Sequence, residues 1–404
     1  MSGSVEVRRE GSGTRELIVL DNGVVRLVAA PGLGGRVLSV RHRGREHLYR
    51  NSRLLDEDLL PVEGVVLGPV DGPMSAWNNV GGDKTWPAPQ GWDGPDEWAG
   101  PPDPVLDSGH YTVETDSAPD GSATLTLTSG DDPRSGLRLR RRLTLEPGVA
   151  GYRLELEAVN VSDTVRRWAL WNVTQIDGAP TTREDTGGVF VGVRGDGPHV
   201  VALVAGNGHP RVVEHTPRVM RVPSQEVVGK VGFPTASGWL AHVGASGTLT
   251  QRFDVNEGAD YPDAGSRAEV WLEAPVERPL EHLGGLYPVD RVTEVEALGP
   301  RTELAPGART TLDVEFGFGT GAEPVAEVVP DGFWSEPPHW AAFDTRGGRL
   351  VGAFTALRPG ALVHRSSGHV VARTGPGEPT HWAAPIPGAD EHTATDVVFT
   401  PLRP

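Results

Sequence analysis

Stretches in which apolar and polar residues alternate recur about every ten residues along the chain, a spacing typical of all-β proteins. In residues 137–145, for example, leucine takes most alternate positions and arginine or threonine lies between them. Such alternation predicts half-buried strands, because successive side chains of a strand point to opposite faces. The other predicted strands are residues 16–20, 24–29, 36–41, 124–128, 152–160, 168–175, 189–193, 200–204, 239–243, 268–273, 293–298 and 310–316.

Glycine, proline or aspartate separates most of these stretches, and segments with helical periodicity are nearly absent. The 53 glycines and 36 prolines follow no fixed repeat, which indicates turns between short strands. Many regularly spaced strands without intervening helices favour an antiparallel sandwich over a βαβ sheet. The sequence therefore predicts an all-β fold, a large sandwich or supersandwich.

Residues 66–110 break the regular pattern of strands. They are rich in Gly, Pro and Asp, and they contain Trp77, Trp86, Trp92 and Trp98. A long segment without regular structure inside a compact domain is usually functional or disordered. Tryptophans argue against disorder, because disordered segments are poor in aromatic residues. We expect an ordered loop region that forms one wall of a binding site.

The composition changes near residues 319–329, and an internal repeat follows. Glu-Pro-Pro-His-Trp-Ala-Ala at 336–342 recurs as Glu-Pro-Thr-His-Trp-Ala-Ala at 378–384. Each copy is followed by a second related run, so each unit is predicted to be a hairpin of two strands. The sequence thus predicts two domains, a large β domain over 1–323 and a small β module over 324–404.

Charge and composition exclude several functional classes. The 404 residues carry a formal net charge of −17, which disfavours binding to nucleic acid or to anionic membranes. No apolar run approaches the roughly 20 residues of a membrane span, and the first ten residues lack a signal-peptide pattern, so we expect a cytoplasmic protein. The chain has no cysteine, which excludes disulfides, thiolate metal sites and cysteine nucleophiles.

Residues 77–90 hold the densest set of candidate ligand-binding groups. Paired glycines allow a close approach of backbone to a ligand, while Asn79, Asp83 and Lys84 supply hydrogen-bond donors and acceptors. Trp86 supplies a flat apolar face for the C–H groups of a sugar ring, and sugars require this combination. The alternative is a structural loop with buried tryptophans, in which Asp83 and Lys84 form a solvated pair.

The predicted strand at 168–175 places Trp171 and Gln175 on one face. A glutamine beside a tryptophan is typical of a pocket wall, although a solvent-facing position is also open. Glu294 and Glu296 likewise share one face of their strand. When two neighbouring carboxylates share a buried face, the pKa of one of them is raised, and this would create a general acid or base. On a solvated face they are two surface glutamates.

Several other residues complete the set of candidates. Lys230 lies between glycines, and it is one of only two lysines in the chain. Tyr261 begins a turn before the strand at 268–273, and His110 precedes a predicted strand. Five histidines follow residue 338, but none has the spacing of a helical metal site, and no metal is predicted. No P-loop, nucleophile elbow or dinucleotide fingerprint occurs, so no cofactor is predicted.

Several motifs, taken in order, resemble one known family. Pro-Gly-Leu-Gly-Gly-Arg-Val-Leu-Ser at 31–39 resembles the N-terminal hairpin of the galactose-mutarotase-like superfamily. Further segments are similar to its DUF4380 branch, and the resemblance covers about residues 15–320. These segments are residues 81–89, 171–175, 261–263, 294–300 and 302–307.

The resemblance implies a galactose-mutarotase-like β-supersandwich whose concave sheet face carries a small-molecule ligand, expected to be a carbohydrate. It also implies an enzyme of the aldose 1-epimerase type, in which a late-strand glutamate is the base and a mid-chain histidine the acid. Glu294 or Glu296 fits the base by its order in the chain. His209 and His215 do not match the histidine motif, so Lys84 or Lys230 would supply the acid. Two alternatives remain: a non-catalytic sugar-binding or regulatory protein, and a lyase or isomerase acting on a non-sugar. The oligomeric state is not determined by the sequence.

Overall fold

A computed structural model describes residues 3–91, 94, 96–179, 186–344, 347–385 and 396–402. Trp92, one of the tryptophans noted above, lies outside the described residues. Strands dominate this part of the chain, and every predicted strand is found with ends shifted by a few residues at most. The strands are β1 (Glu6–Glu10), β2 (Leu17–Asp21), β3 (Val25–Ala30), β4 (Arg36–His42), β5 (Arg45–Glu46), β6 (Asp83–Ala88), β7 (Thr112–Ser117), β8 (Ala123–Thr128), β9 (Leu137–Leu145), β10 (Gly151–Asn160), β11 (Arg166–Asp177), β12 (Gly188–Val193), β13 (Val201–Ala205), β14 (Val213–Thr216), β15 (Val219–Val222), β16 (Gly229–Phe233), β17 (Ala236–Gly244), β18 (Gly247–Phe253), β19 (Ala268–Glu273), β20 (Val292–Leu298), β21 (Thr302–Leu304), β22 (Arg309–Gly319), β23 (Glu327–Val329), β24 (Gly332–Asp344), β25 (Gly347–Ala356), β26 (Gly360–His364), β27 (His369–Thr374), β28 (Pro379–Ala384) and β29 (Val397–Pro401).

Helical structure is confined to single turns in the described part of the chain. The segment α1 (Pro262–Gly265) contains Asp263 and Ala264 at positive φ, so it is a tight turn rather than a regular helix. Three further turns are 3-10 helices: Gly13–Arg15, Met74–Ala76 and Glu281–Leu283.

Two large antiparallel sheets form the body of the protein. The first has twelve strands, with the order β1-β2-β3-β4-β6-β11-β20-β19-β16-β13, and with β5 and β21 attached to β4 and β11. The second has ten strands, with the order β14-β15-β12-β17-β18-β22-β10-β9-β8-β7. One apolar core joins them, and Leu27 and Val295 from the first sheet pack with Leu154 and Phe316 from the second. The prediction of an all-β fold, built as a large antiparallel supersandwich, is confirmed.

A polar network crosses this apolar core between the sheets. Asp83 of β6 accepts a short ion-pair contact from Arg141 of β9, and both side chains are fully buried. Asp83 Oδ2 also accepts hydrogen bonds from Asn172 (2.8 Å) and Thr174 (2.6 Å). Gln251 of the second sheet donates to Thr174 Oγ1 at 2.6 Å. Since buried polar groups need partners, this network fixes how the two sheets face each other.

The segment at 66–110 was predicted to be a loop region, and this prediction is wrong for its centre. Asp83–Ala88 is β6, which pairs along its length with β11 in the middle of the first sheet. Pro87 obscured the strand in the sequence, because proline lacks the N–H of a ladder hydrogen bond. The structure tolerates Pro87 because β6 pairs with its other neighbour, β4, only between Asp83 and Val37.

The C-terminal residues form two small sheets, with the orders β23-β24-β25-β28 and β27-β26-β29. The first repeat unit is a hairpin, since β24 pairs with β25. The second unit is not, because β28 joins β25 while β29 joins β26 in the other sheet. Their shared core contains Trp334, Phe354 and Trp382. The hairpin prediction is therefore correct for one copy of the repeat and wrong for the other.

Among the described residues, no helix is both long and apolar enough to cross a membrane.

Candidate functional site

Four side chains lie in one row across neighbouring strands of the twelve-stranded sheet. Gln175 of β11 lies opposite Glu294 of β20, Glu294 lies opposite Trp271 of β19, and Trp271 lies opposite Lys230 of β16. Residues paired in this way present their side chains on the same face of the sheet. Residues more than a hundred positions apart in the sequence thus become immediate neighbours.

A second row runs parallel to the first on the same face. Lys84 of β6 lies opposite Val173, which lies opposite Glu296, and Glu296 lies opposite Glu269 of β19. Glu269 and Glu296 are fully buried, and Lys84 is 1% exposed. The charged groups of these two rows are buried, so their charges must be balanced by one another within the face.

The carboxylate of Glu294 is held from two sides. Lys84 Nζ donates to Glu294 Oε1 at 3.1 Å, and Gln175 Nε2 donates to the same oxygen at 2.6 Å. Lys84 Nζ also lies 5.4 Å and 4.7 Å from the ring centroids of Trp77 and Trp86. These contacts fix Lys84 completely, and they leave Glu294 Oε2 without a hydrogen-bond partner among the described residues.

Lys230 bridges two carboxylates. Its Nζ lies 2.7 Å from Glu269 Oε2 and 2.9 Å from Glu296 Oε2, and 4.2 Å from the ring centroid of Trp171. Trp171 Nε1 also donates to Glu296 Oε2, at 2.5 Å. The other oxygens of both glutamates, Oε1, are buried and have no hydrogen-bond partner within the described part of the chain. The cluster therefore holds more carboxylate than its single ammonium can satisfy.

A cavity of about 970 Å³ opens over this face of the sheet. Glu273, Glu294, Lys230 and Asp263 contribute to its wall. Trp86 organises much of the aromatic part, with ring centroids 5.1 Å from Trp98 and 5.3 Å from Trp171. Among the tryptophans that the structure describes, six line the cavity: Trp77, Trp86, Trp98, Trp168, Trp171 and Trp271.

Glu273 is a carboxyl group of the cavity wall whose pKa is strongly raised. Burial, followed by the charge of Glu294, raises the pKa of Glu273 to about 7. Its Oε1 accepts a hydrogen bond from Trp271 Nε1 at 3.1 Å, and no partner for Oε2 is recorded among the described residues. A carboxyl group that can both give and take a proton near pH 7 is suited to acid–base catalysis.

The pKa values of the other buried groups are shifted by burial and by neighbouring charges. Burial lowers the pKa of Lys84, and the charge of Glu294 opposes this shift only in part. Burial would also lower the pKa of Lys230, but the charges of Glu269 and Glu296 outweigh it and raise that pKa. Burial raises the pKa of both glutamates, Glu269 most strongly. The two glutamates therefore favour the charged form of Lys230, whereas their own burial favours their neutral form.

The structure brings most of the predicted site residues together. Glu294, Lys230, Trp86 and Trp171 line the cavity. Three further predicted residues lie directly behind the wall, and each contacts one of these four. They are Lys84, Gln175 and Glu296.

Four other predicted site residues lie elsewhere. Asp83 faces the opposite side of the sheet, since it neighbours Lys84 on an alternating strand, and it belongs to the inter-sheet network. Asn79 shapes a turn by accepting a 3.3 Å hydrogen bond from the N–H of Gly81. His110 is exposed and does not line the cavity. The buried Tyr261 accepts a hydrogen bond from the N–H of Asn256 at 3.0 Å.

Sequence reasoning missed the outer face of β19. Glu269, Trp271 and Glu273 alternate there with apolar residues that face the core. The signal was present, because an acid–tryptophan–acid pattern on one strand face is unusual for a solvated surface. Asp263 and His282, which also line the cavity, come from irregular segments whose positions alternation does not predict.

Fold and site together define a β-supersandwich protein with a cavity lined by tryptophans and carboxylates on its larger sheet. A family model described as a domain of unknown function, DUF4380, matches residues 16–315. The chain therefore belongs to the DUF4380 family. The resemblance to DUF4380 inferred from the sequence is confirmed. No curated protein matches the sequence.

Several solved structures are similar in fold. A TPR-domain containing protein from Parabacteroides distasonis is 14% identical with a TM-score of 0.52, over 78% of this chain and 49% of that one, so the chain spans about half its length. A galactose mutarotase-like protein from Lactobacillus casei is 10% identical with a TM-score of 0.46, over 74% and 99%. Another from Clostridium acetobutylicum is 11% identical with a TM-score of 0.39, over 78% and 98%. These similarities concern the fold alone.

Proposed function

We propose that the cavity binds a carbohydrate and catalyses proton transfers at its anomeric centre, as an aldose 1-epimerase does. The observation that carries the proposal is the pair Glu294 and Glu273 on adjacent strands, at the floor of a cavity walled by tryptophans. The superfamily fold agrees with this activity without requiring it.

The wall offers the two kinds of contact that a sugar needs. Indole faces receive the C–H groups of a pyranose ring, and carboxylates accept hydrogen bonds from its hydroxyl groups. Glu294 Oε2 and Glu273 Oε2 supply acceptors at the sheet, and Trp86 and Trp171 stand beside them. The volume of about 970 Å³ is at the upper end for small-molecule sites, so a sugar larger than a monosaccharide also fits.

In the proposed reaction Glu294 is the general base and Glu273 the general acid. Glu294 takes the proton of the anomeric hydroxyl while Glu273 gives a proton to the ring oxygen. The bond between the anomeric carbon and the ring oxygen breaks, and the carbonyl of the open aldose forms. Rotation and closure on the other carbonyl face reverse both proton transfers and restore both carboxyl groups. The reaction as written consumes no oxidant and requires no cofactor.

The positions of the two carboxyl groups suit this division of roles. Trp271 lies opposite Glu294, and Glu273 follows two residues later on β19, so the two glutamates are diagonal neighbours. Diagonal neighbours have Cα atoms about 7–8 Å apart, within reach of two oxygens bonded to the same carbon. The pKa of Glu273, raised by burial to about 7, keeps a share of this group protonated at neutral pH. Lys84, bound to Glu294, would position the base rather than act as the acid.

The test is the rate of anomer exchange, followed by one-dimensional NMR on freshly dissolved α-anomers of several aldoses. We expect the protein to accelerate exchange of at least one sugar. Glu294→Gln and Glu273→Gln should each slow that reaction by about 10²–10⁴-fold. Glu226→Gln, which alters an exposed glutamate paired with Arg291, is the matched control and should leave the rate unchanged. Exchange no faster than in buffer for every aldose tested would refute the catalytic proposal.

Binding without turnover is the second candidate. It is favoured by the fixed state of both lysines, since Lys84 and Lys230 are tied to carboxylates and covered by indole rings. A site built in this way is rigid, as a receptor for sugar would be. Calorimetry that shows sugar binding, unchanged in Glu294→Gln and without accelerated anomer exchange, would select this function.

A further inference from the structure

The wall and floor of the cavity carry more negative than positive charge. Six carboxyl groups line the cavity or lie directly behind its wall: Glu97, Asp263, Glu269, Glu273, Glu294 and Glu296. They outnumber the two ammonium groups, those of Lys84 and Lys230, even when Glu273 holds its proton. Arg134, which also lines the cavity, has its charge engaged by Asp71 and lies 3.8 Å from Asp103. The surplus repels phosphate or carboxylate groups on a ligand, and it attracts a cation.

Glu273 adds to the surplus whenever it gives up its proton. It is 8% exposed, it belongs to the cavity wall, and its Oε2 has no hydrogen-bond partner among the described residues. A buried carboxylate without a partner is costly, so it either holds a proton or pairs with a cation from outside. Among the described residues, no group of three or more potential ligands is arranged to hold a metal ion. A large cavity walled by indoles suits an organic cation rather than an inorganic one.

Asp263 provides a place for such a cation at the edge of the cavity. Its carboxylate makes no hydrogen bond or close ion pair with the other described residues, although its charge helps to raise the pKa of Lys230, and it lines the cavity. The residue has φ 51° and the next, Ala264, has φ 60°, both in the left-handed region that disfavours non-glycine residues. Backbone held in this region is often found at functional sites. Here it accompanies a carboxylate presented to the cavity.

Trp271 supplies an aromatic surface in the wall of the same cavity. Lys84 lies over Trp77 and Trp86, and Lys230 over Trp171, whereas no cation is recorded over Trp271 among the described residues. An indole face attracts an ammonium group within about 6 Å of its centroid. The ring is held in place by its hydrogen bond to Glu273. A carboxylate and an indole on one wall are the contacts that select an alkylammonium group.

We infer that the sugar bound in this cavity is cationic, an amino sugar whose ammonium group lies against Asp263 and the indole of Trp271. This inference rests on the proposed function, because it names the class of sugar for the same site. A neutral sugar would retain its contacts with the other indoles and carboxylates but would lack this ion pair. Uronates and sugar phosphates would be excluded by the surplus of carboxylates.

The test is titration of the full-length protein, read by calorimetry and by the fluorescence of the tryptophans in the cavity. The probes are matched sets in the gluco, galacto and manno series: the hexose, its 2-amino-2-deoxy form, the N-acetyl form and the uronate. In at least one series we expect the amino sugar to bind about tenfold more tightly than the hexose or the N-acetyl form. The uronate should bind most weakly. Added salt should weaken binding of the amino sugar more than that of the hexose.

Asp263→Asn removes the charge and keeps a residue that tolerates left-handed backbone. It should bring the affinity for the amino sugar to within about threefold of that for the hexose. Asp260→Asn is the matched control, because Asp260 pairs with Arg167 in the same region but does not line the cavity.

Hexoses that bind as tightly as their amino forms, or an unchanged preference in Asp263→Asn, would overturn the inference and leave the proposed function standing. Failure of every probe to bind would refute both.

Discussion

Lys84 and Glu294, 210 residues apart in the sequence, form a buried ion pair in which Nζ lies 3.1 Å from Oε1. The side chain of Lys84 is 2% exposed and that of Glu294 is 8% exposed. Burial lowers the pKa of Lys84, and the carboxylate of Glu294 opposes this shift. The pair ties β6 to β20 across β11, and it fixes the orientation of the proposed base.

Replacing Lys84 should therefore be costly for stability. Lys84→Met leaves the carboxylate of Glu294 in a buried place with only Gln175 as donor. Removing one partner of a buried ion pair destabilises a protein by about 3–5 kcal/mol. We expect a decrease of about 3 kcal/mol in the free energy of unfolding, measured by denaturation in urea.

The double variant Lys84→Met/Glu294→Gln should recover part of this loss, because it leaves no buried charge behind. Additive effects of the two single changes would show that the two side chains are not coupled.

Glu273 should make stability fall as the pH rises. Burial, with the charge of Glu294, raises the pKa of Glu273 to about 7, whereas the ordinary value is 4.5. Between these values the folded state binds more protons than the unfolded state. The contribution is therefore fully present below about pH 4.5, and it is lost as the pH rises through about 7, up to about 3 kcal/mol.

Glu273→Gln abolishes this titration, so its change in stability between pH 5 and pH 8 should be smaller than that of the wild type. Denaturation midpoints at the two pH values measure the effect, and Glu226→Gln serves as the exposed control. An identical pH dependence in wild type and Glu273→Gln would contradict the raised pKa.

Alternation along the chain was sufficient to predict the sheets. In β9 the burial of successive residues follows the apolar pattern, and the predicted bounds of both β9 and β19 are those observed. The prediction failed where the local sequence favoured a structure that pairing with distant strands overrides. In β6, Pro87 and the glycines before it indicated a loop, whereas pairing with β11 decides the structure. The second copy of the repeat failed for the same reason, because β28 finds its partner in β25, far along the chain.

The candidate site was predictable where it lies on strands. Register places Gln175, Glu294, Trp271 and Lys230 side by side, and alternation fixes which face each takes. The sequence could not show which sheet face would be hollow. Asp83 was therefore assigned to the site together with Lys84, although adjacent residues of a strand point to opposite faces.

Asp83 and Asp263 should respond differently to the same chemical change. Asp83→Asn leaves Arg141 buried without its ion-pair partner, so the free energy of unfolding should fall by about 3 kcal/mol. Affinity for sugar should not change, because Asp83 faces the inter-sheet core. Denaturation and calorimetry on the two asparagine variants measure this contrast. A loss of sugar affinity in folded Asp83→Asn would place that residue in the site after all.

Buried histidines should make the protein sensitive to acid. Burial, followed by the nearby His42 and His242, lowers the pKa of His47 to about 3. The unfolded chain takes up this proton near pH 6.5, so the stability contributed by His47 is present above that pH and is lost as the pH falls toward 3. The loss is on the order of 4 kcal/mol. His47→Leu should unfold at a lower pH than the wild type, and His369→Leu, at an exposed position, should not.

The boundary predicted at residue 323 can be tested by ending the chain there. Val325 and Phe333 pack with Phe190 and Trp239 of the ten-stranded sheet, so truncation would uncover an apolar surface. Exposed apolar patches of this kind promote association. We expect the chain 1–323 to bind a hydrophobic dye and to self-associate in sedimentation, whereas the full chain binds less dye. A monomeric 1–323 with the thermal midpoint of the full chain would show instead that the C-terminal sheets are an independent unit, whose contacts with the sandwich contribute nothing to its stability.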